Sequence, residues 1–211
     1  MSPRNRKPYE PQQARSRFLA DAVLEAAERV IQDTGWAGAK VARIAKVAGV
    51  SVGSMYRYFP GRDVLLGAVI DRRLARDHDA FLRAIDAARG ETVEQSLEAF
   101  TDALLADRQL THPKLLRHLV GVVDAVGRLC AVQETFDDMI RQFARHMAQQ
   151  HPELGPMELV ERRCHMVFWG MRGAFVARAR VEDPFDLQQF RDDAMLMAHA
   201  MLRAGHEADT R

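Results

Sequence analysis

Only two of the 211 residues are cysteine, Cys130 and Cys164. Two are too few for a disulfide framework or a cysteine-rich zinc site, and a reducing cytoplasm is the expected setting. Long apolar runs are missing as well. None approaches the ~18 residues of a membrane span, and the first residues lack the hydrophobic segment of a secretion signal. The chain has no glycine-rich phosphate loop, nucleophile elbow, metal-binding helix pair or catalytic dyad. Its eight histidines fall without paired ligand spacing. No enzyme activity, cofactor or metal is therefore expected. Strand-like alternation, internal repeats and low-complexity tracts are absent too, which leaves an all-α chain, long enough for one small and one larger domain.

Net charge is almost absent at +1, but its distribution is uneven. Residues 1–62 hold eleven Lys/Arg against five acids, leaving 19 basic and 24 acidic groups for the remainder. A basic head on a mildly acidic body is the electrostatic footprint of a nucleic-acid reader, although a solvated basic face gives the same count. Residues 1–13 carry three prolines and four charges and are expected to be a disordered basic arm. A first helix follows from about Arg15 to Asp33, with Leu19, Val23, Ala26 and Val30 on one face and Gly35 as its stop. After Pro60-Gly61, Arg62 opens a long helix reaching about Ala88. Further helices are expected near 92–107, 113–127, 131–150, 156–180 and 184–204, punctuated by His112-Pro113, His151-Pro152, Pro156 and Asp183-Pro184.

The most informative stretch is VARIAKVAGVSVGSMYRYFPGRDVLL, residues 41–66. Two short apolar-periodic segments, 41–48 and 52–58, meet at a tight Ala48-Gly49-Val50-Ser51 turn. Ile44, Ala45 and Ala48 form a small stripe for close packing. Gly49 can take the left-handed conformation that ends a helix, and Ser51 is a good N-cap for the next one. Val50, Met55 and Phe59 are the apolar anchors. Two short helices at a glycine-containing turn are the helix-turn-helix unit, whose second helix enters the major groove.

The run Ile44-Ala45, Ala48-Gly49-Val50-Ser51, Gly53, Tyr56, Tyr58-Phe59, Arg62 and Leu65 closely resembles the N-terminal signature of TetR-type transcriptional regulators. Leu24-Glu25-Ala26-Ala27 and Asp33-Thr34-Gly35-Trp36 resemble that family's first helix and its end, so the resemblance covers about residues 15–66. It implies a three-helix DNA-binding domain over residues 14–61 and a helical ligand-binding and dimerisation domain over 62–211. One departure stands at Ala39-Lys40, where the family usually has two small hydroxyl residues. Lys40 can still reach a phosphate as a point charge, but the helix cap is lost.

With the second motif helix in the groove, its first residues reach base edges. Val52, Gly53, Ser54 and Arg57 are the candidates for sequence readout, Arg57 through a guanine or equally through a phosphate. The resemblance implies phosphate contacts for Tyr56 and Tyr58, unless one ring is mainly core. Lys40, Arg43, Lys46, Ser51 and Arg62 are further phosphate candidates, which position a protein without reading sequence.

A single helix-turn-helix covers only a few base pairs, so the resemblance implies a homodimer on a palindromic operator of double-stranded DNA. It places the dimer contact on the last two helices. Gly170, Gly173, Ala174 and Ala177 on one, and Leu187, Phe190, Ala194, Met197 and Met201 on the other, would make half of a four-helix bundle. The same stripes would also serve as internal core. The family commonly binds a small molecule in this domain. Candidate pocket residues are Phe81, Phe100, Leu104, Leu116, Val120, Val123, Phe136, Ile140, Phe143, Met166, Trp169 and Phe175, with His118, His165 and Arg172 as polar groups. Cys164, on an apolar stripe, reads as a small buried hydrophobe. The leading expectation is a cytoplasmic, ligand-responsive repressor. The alternative keeps the DNA-binding head but makes the body an architectural or protein-interaction module without an effector.

Overall fold

A computed structural model describes residues 10–105, 123, 126–179 and 186–204. Its described elements are helical: α1 (Glu10–Gly38), α2 (Val41–Ala48), α3 (Val52–Tyr58), α4 (Arg62–Ala87), α5 (Val93–Leu105), α6 (Leu129–Gln150), a 3-10 turn (Pro152–Leu154), α7 (Met157–Ala179) and α8 (Leu187–Arg203). The motif helices fall on the expected residues. The expected helix near 113–127 lies almost wholly outside the described residues. So do residues 1–9 of the expected arm, whereas Glu10–Gln13 belong to α1, a correction with a simple cause. Pro11 lies in a helix's first turn, where its missing N–H costs nothing. No helix among the described residues is long and apolar enough to cross a membrane.

The chain divides into two compact units, Met1–Val69 and Ile70–Arg211. In the first, α1 breaks at Gly35, whose backbone (φ 67, ψ 170) leaves helical space, a conformation that favours glycine. Thr34 Oγ1 donates to the Val30 carbonyl at 2.8 Å in the last turn before the break. α2 ends on Gly49 (φ 69, ψ 26). The N–H of Val50 reaches back to Ala45 at 3.0 Å and that of Gly49 to Lys46 at 3.3 Å. This pairing is the Schellman closure, and it satisfies carbonyls that the helix end would otherwise orphan. Val23, Ala26, Ala27, Val30 and Ile31 of α1, Ile44 and Ala45 of α2, Met55 of α3, and Leu65, Leu66 and Val69 of α4 form the buried core of this unit. Its small alanines let α1 and α2 approach closely.

In the second unit the core gathers Phe81 of α4, Leu97 and Phe100 of α5, Met139, Ile140, Phe143 and Met147 of α6, Val160, Val167 and Phe168 of α7, and Ala194, Ala198 and Leu202 of α8. α5 opens with a reciprocal capping box. Thr92 N–H donates to Gln95 Oε1 at 2.9 Å, and Gln95 N–H donates to Thr92 Oγ1 at 3.2 Å. α8 starts on Asp186, whose carboxylate accepts from Gln189 N–H at 3.0 Å, and its other end is held by Arg163, which donates to the Leu202 and Ala204 carbonyls. Arg191 grips Asp102 with two donors at 2.7 and 3.2 Å, tying α8 to α5.

Acid should weaken this unit well before its carboxylates titrate. His146 is buried at the end of α6, and desolvation, helped by the charges of His151 and Arg89, lowers its pKa from 6.5. The unfolded chain then takes a proton that the folded chain refuses, so stability is full above about pH 6.5 and falls as pH drops toward the depressed folded value. Glu94 and Asp138 are also held below their ordinary 4.5 and 3.8, so their contribution is lost only at lower pH. The urea midpoint is therefore expected to drop between pH 7 and 5.5, and His146→Leu should flatten that slope. An unchanged slope in the variant would assign the acid sensitivity elsewhere.

Candidate nucleic-acid interface

The turn that joins α2 to α3 hands the chain to a well-capped reading helix. Ser51 Oγ accepts from the Ser54 N–H at 3.0 Å, the N-cap bond that supports a helix start. The same hydroxyl donates to Ser54 Oγ at 2.8 Å. Because the Ser51 proton is committed to that bond, the Ser54 hydroxyl keeps its own proton for an outside acceptor, a phosphate oxygen or a purine N7. Met55 is almost fully buried and Phe59 nearly so. Burying side chains of this size stabilises the helix seat by roughly 1.5–3 kcal/mol each.

The opposite side of α3 is open. Val52 is 40% and Tyr56 47% exposed, four residues apart and so on one helix face. Ser51, Gly53 and Arg57 are exposed beside them, while Ser54 and Tyr58 are half-buried. Among the described residues Arg57 makes no ion pair, which leaves its fork of donors available. Tyr58 is thus the tyrosine whose ring packs partly into the unit, and Tyr56 the one that stands out. Around them, Lys40, Arg43 and Lys46 are exposed, with Arg43 only loosely drawn to Asp33 at 4.0 Å. Lys40 occupies the N-cap of α2 and makes no side-chain cap bond, as the Ala39-Lys40 departure implied.

Arg62 behaves differently from the phosphate candidate of the sequence. Its guanidinium lies 4.5 Å over the Trp36 ring and donates to the Trp36 carbonyl. The first residue of α4 therefore clasps the chain just after the Gly35 break, a cation–π contact combined with a charge-assisted hydrogen bond.

This geometry coincides with a family signature. Residues 23–69 match the family model of bacterial regulatory proteins, tetR family. The head is a TetR-type DNA-binding domain. The HTH-type transcriptional regulator BetI of Escherichia coli O17:K52:H18 is 35% identical over 101 residues, 48% of this chain and 50% of that protein. The chain thus spans about half the length of the curated relatives it matches. Among solved structures, a protein from Mesorhizobium loti MAFF303099 assigned to the TetR family superposes with TM-score 0.68 at 19% identity, over 89% of this chain and 96% of that one. The fatty acid degradation regulator FadR of Bacillus halodurans does so with TM-score 0.64 at 18% identity, over 93% and 97%. These two likenesses concern the fold alone, an all-α chain with a helix-turn-helix head and a larger helical body. The matched model describes regulatory proteins, and no group of three or more His, Cys, Asp or Glu among the described residues could hold a metal ion.

In the second unit, the pocket candidates separate into groups. Phe81, Phe100, Ile140 and Phe143 are buried against one another. Phe100 stacks on Phe143 at 4.0 Å and meets Phe81 edge-on at 5.4 Å, so they fill the core. Met166 is 63% exposed and is corrected to an outer face: it shares the solvent side of α7 with Gly170. Phe136, His165, Trp169, Arg172 and Phe175 are half-buried between the core and the surface, and Val123 is half-buried in a turn. Leu116, His118 and Val120, and the side chain of Leu104, lie outside the described residues. An open depression of about 500 Å³ lies elsewhere, lined by Arg145, Gln149, Pro152, Pro156 and Met157 among others. Cys164 is buried and its thiol is pushed up to about 12 by desolvation, the state of an unreactive core cysteine.

The dimer candidates also separate. Gly170, Gly173, Ala174 and Ala177 are exposed along α7. On α8, Ala194 is only 4% exposed and joins its own unit's core, which corrects it from interface to interior. Phe190 packs on Phe175 at 5.6 Å. Met197 and Met201 are half-buried against the core, with Met197 Cε placed 3.7 Å from where a Cβ on Gly170 would sit. The side chain of Leu187 lies outside the described residues. Leu196, which the sequence reading did not name, is 71% exposed on α8.

Proposed function

We propose that this chain is a homodimeric repressor that reads a palindromic operator through α3 and is released by a small-molecule ligand. One observation carries the reading. α3 is held from behind by Met55 and Phe59 while Val52, Gly53, Tyr56 and Arg57 face outward. Exposed apolar and cationic groups at the start of a seated helix suit base edges, thymine methyls and phosphates together. The outer rows of α7 and α8, with Met166, Gly170, Gly173 and Leu196 open, support a second copy as partner. Two heads on one dimer then read half-sites ~34 Å apart or a multiple of it. A ligand that favours a binding-incompetent state of the body lowers operator affinity by its differential affinity for the two states. The closely packed Phe81–Phe100–Phe143 core favours a second reading, a body that acts through protein contacts without an effector.

Selection of bound duplexes from a random pool, at stated salt, tests the first reading. An enriched palindrome is expected. Binding without enrichment, steeply dependent on salt, would bring the second reading forward as a non-specific DNA binder.

Arg57 in α3 and Arg62 at the start of α4 should then separate. Arg57→Ala is expected to lose about 1–3 kcal/mol of discrimination between operator and scrambled duplex. Arg62→Ala should weaken both duplexes alike and lower the melting temperature, because it opens the clasp on Trp36. Equal losses from both variants, with no change in melting, would refute the division.

A further inference from the structure

We infer that Arg172, set between the rings of Phe136 and Trp169, is the anchor for the carboxylate of an amphipathic organic acid whose apolar body lies against those rings. The inference rests on the ligand-responsive reading above and names the chemistry of that ligand.

The guanidinium sits 4.4 Å over Phe136 and 5.6 Å from the Trp169 ring, so α6 and α7 each contribute one wall. Other arginines of the unit that leave bulk water have an oxygen to donate to. Arg73 faces Asp77 at 3.3 Å, Arg163 has the carbonyls of Leu154, Leu202 and Ala204, Arg191 has Asp102 and Arg128 has Asp71. Arg172 has no hydrogen bond or ion pair among the described residues. Ring contacts of this kind satisfy none of a guanidinium's five N–H donors by a conventional hydrogen bond. A half-buried cation with no anion among the described residues is an expensive arrangement that one carboxylate, bound through two parallel hydrogen bonds, would relieve. Burial alone holds the Arg172 pKa below its ordinary value, the direction expected where no anion compensates.

The carboxylate that meets the Trp169 wall is already committed. Asp137 accepts from Trp169 Nε1 at 3.3 Å and faces His165 Nε2 at 3.7 Å, and His165 Nδ1 lies 3.0 Å from the Glu161 carbonyl. Asp137 therefore fixes the indole wall. The site combines one unanswered fork with two aromatic walls, which suits an acid group on an apolar body better than a sugar, a cation or a neutral amide.

Calorimetric titration of the full chain with decanoate and with benzoate, each beside its neutral amide, tests the assignment. At least one acid is expected to bind saturably at ~1 mM or below, at least tenfold tighter than its amide. Tenfold or greater weakening is expected in Arg172→Met, and Arg172→Lys should fall between. If Arg172→Met fails to fold, the acid–amide comparison and Arg172→Lys carry the test. Acids no tighter than amides, or affinity unchanged in Arg172→Met, would overturn it. The same compounds added to an operator complex separate the two layers. Arg172-dependent acid binding without operator release would keep the site and sink the effector reading. Release by the amides, undiminished in Arg172→Met, would keep the effector reading and sink the site.

Discussion

Phe100→Ala is expected to cost about 3–5 kcal/mol, the range for removing a large aromatic from a packed core. Phe100 is 4% exposed, stacks on Phe143 with centroids 4.0 Å apart and planes at 22°, and meets Phe81 and Phe168 edge-on at 5.4 and 6.3 Å. Three aromatic partners from α4, α6 and α7 converge on one side chain of α5, so the hole left by its loss cannot be closed by moving a single helix. A loss of that size is a large share of the roughly 5–15 kcal/mol that holds an ordinary domain together. Urea unfolding should show a lower midpoint with little change in slope. A loss under ~1 kcal/mol would mean that the cluster collapses freely. The body would then be soft enough to open a cavity at the place where its rings now stack, and Phe81, Phe100 and Phe143 would return as pocket residues.

The head was legible because its determinants are local. Gly49 and Ser51 act within five residues of themselves, through a Schellman closure and an N-cap bond, so sequence alone set α2 and α3 at their observed ends. The clasp of Arg62 on Trp36 spans 26 residues and leaves no periodic trace, which is why Arg62 read as a phosphate contact. In the body, chemistry and orientation come apart. Met166 and Met171 are the same residue type on the same helix, yet one is 63% and the other 8% exposed. α7 carries apolar residues around most of its circumference, and a period-3.6 stripe cannot say which side meets the core. α8 gives the same lesson in two neighbouring positions. Ala194 looked like a small interface residue and is core, whereas Leu196, two positions on and therefore on a different face, stands in water.

Leu196→Glu should break the dimer if that exposed face is where a second copy binds. Leu196 is the most exposed large apolar side chain of α8. The row Met166, Gly170, Gly173, Ala177 on α7 is likewise open, and residues three and four apart share one face. Small residues there let a partner helix come close, and Leu196 on α8 supplies apolar area to bury, the combination from which four-helix interfaces are built. Two glutamates brought together across a two-fold axis would each lose water and face a like charge. The expected result is a 23.8 kDa species in sedimentation where the unsubstituted chain runs as a dimer, with the helical signal retained because Leu196 contributes little to its own core. Operator affinity should fall by ~10²–10⁴, the factor by which linking two sites exceeds either alone, while weak binding to a half-site duplex persists through an intact α3. A variant that stays dimeric and binds the palindrome normally would remove this face from the interface. The reading of α3 would stand even then, because a seated helix with Val52, Tyr56 and Arg57 outward does not depend on which surface brings two of them together.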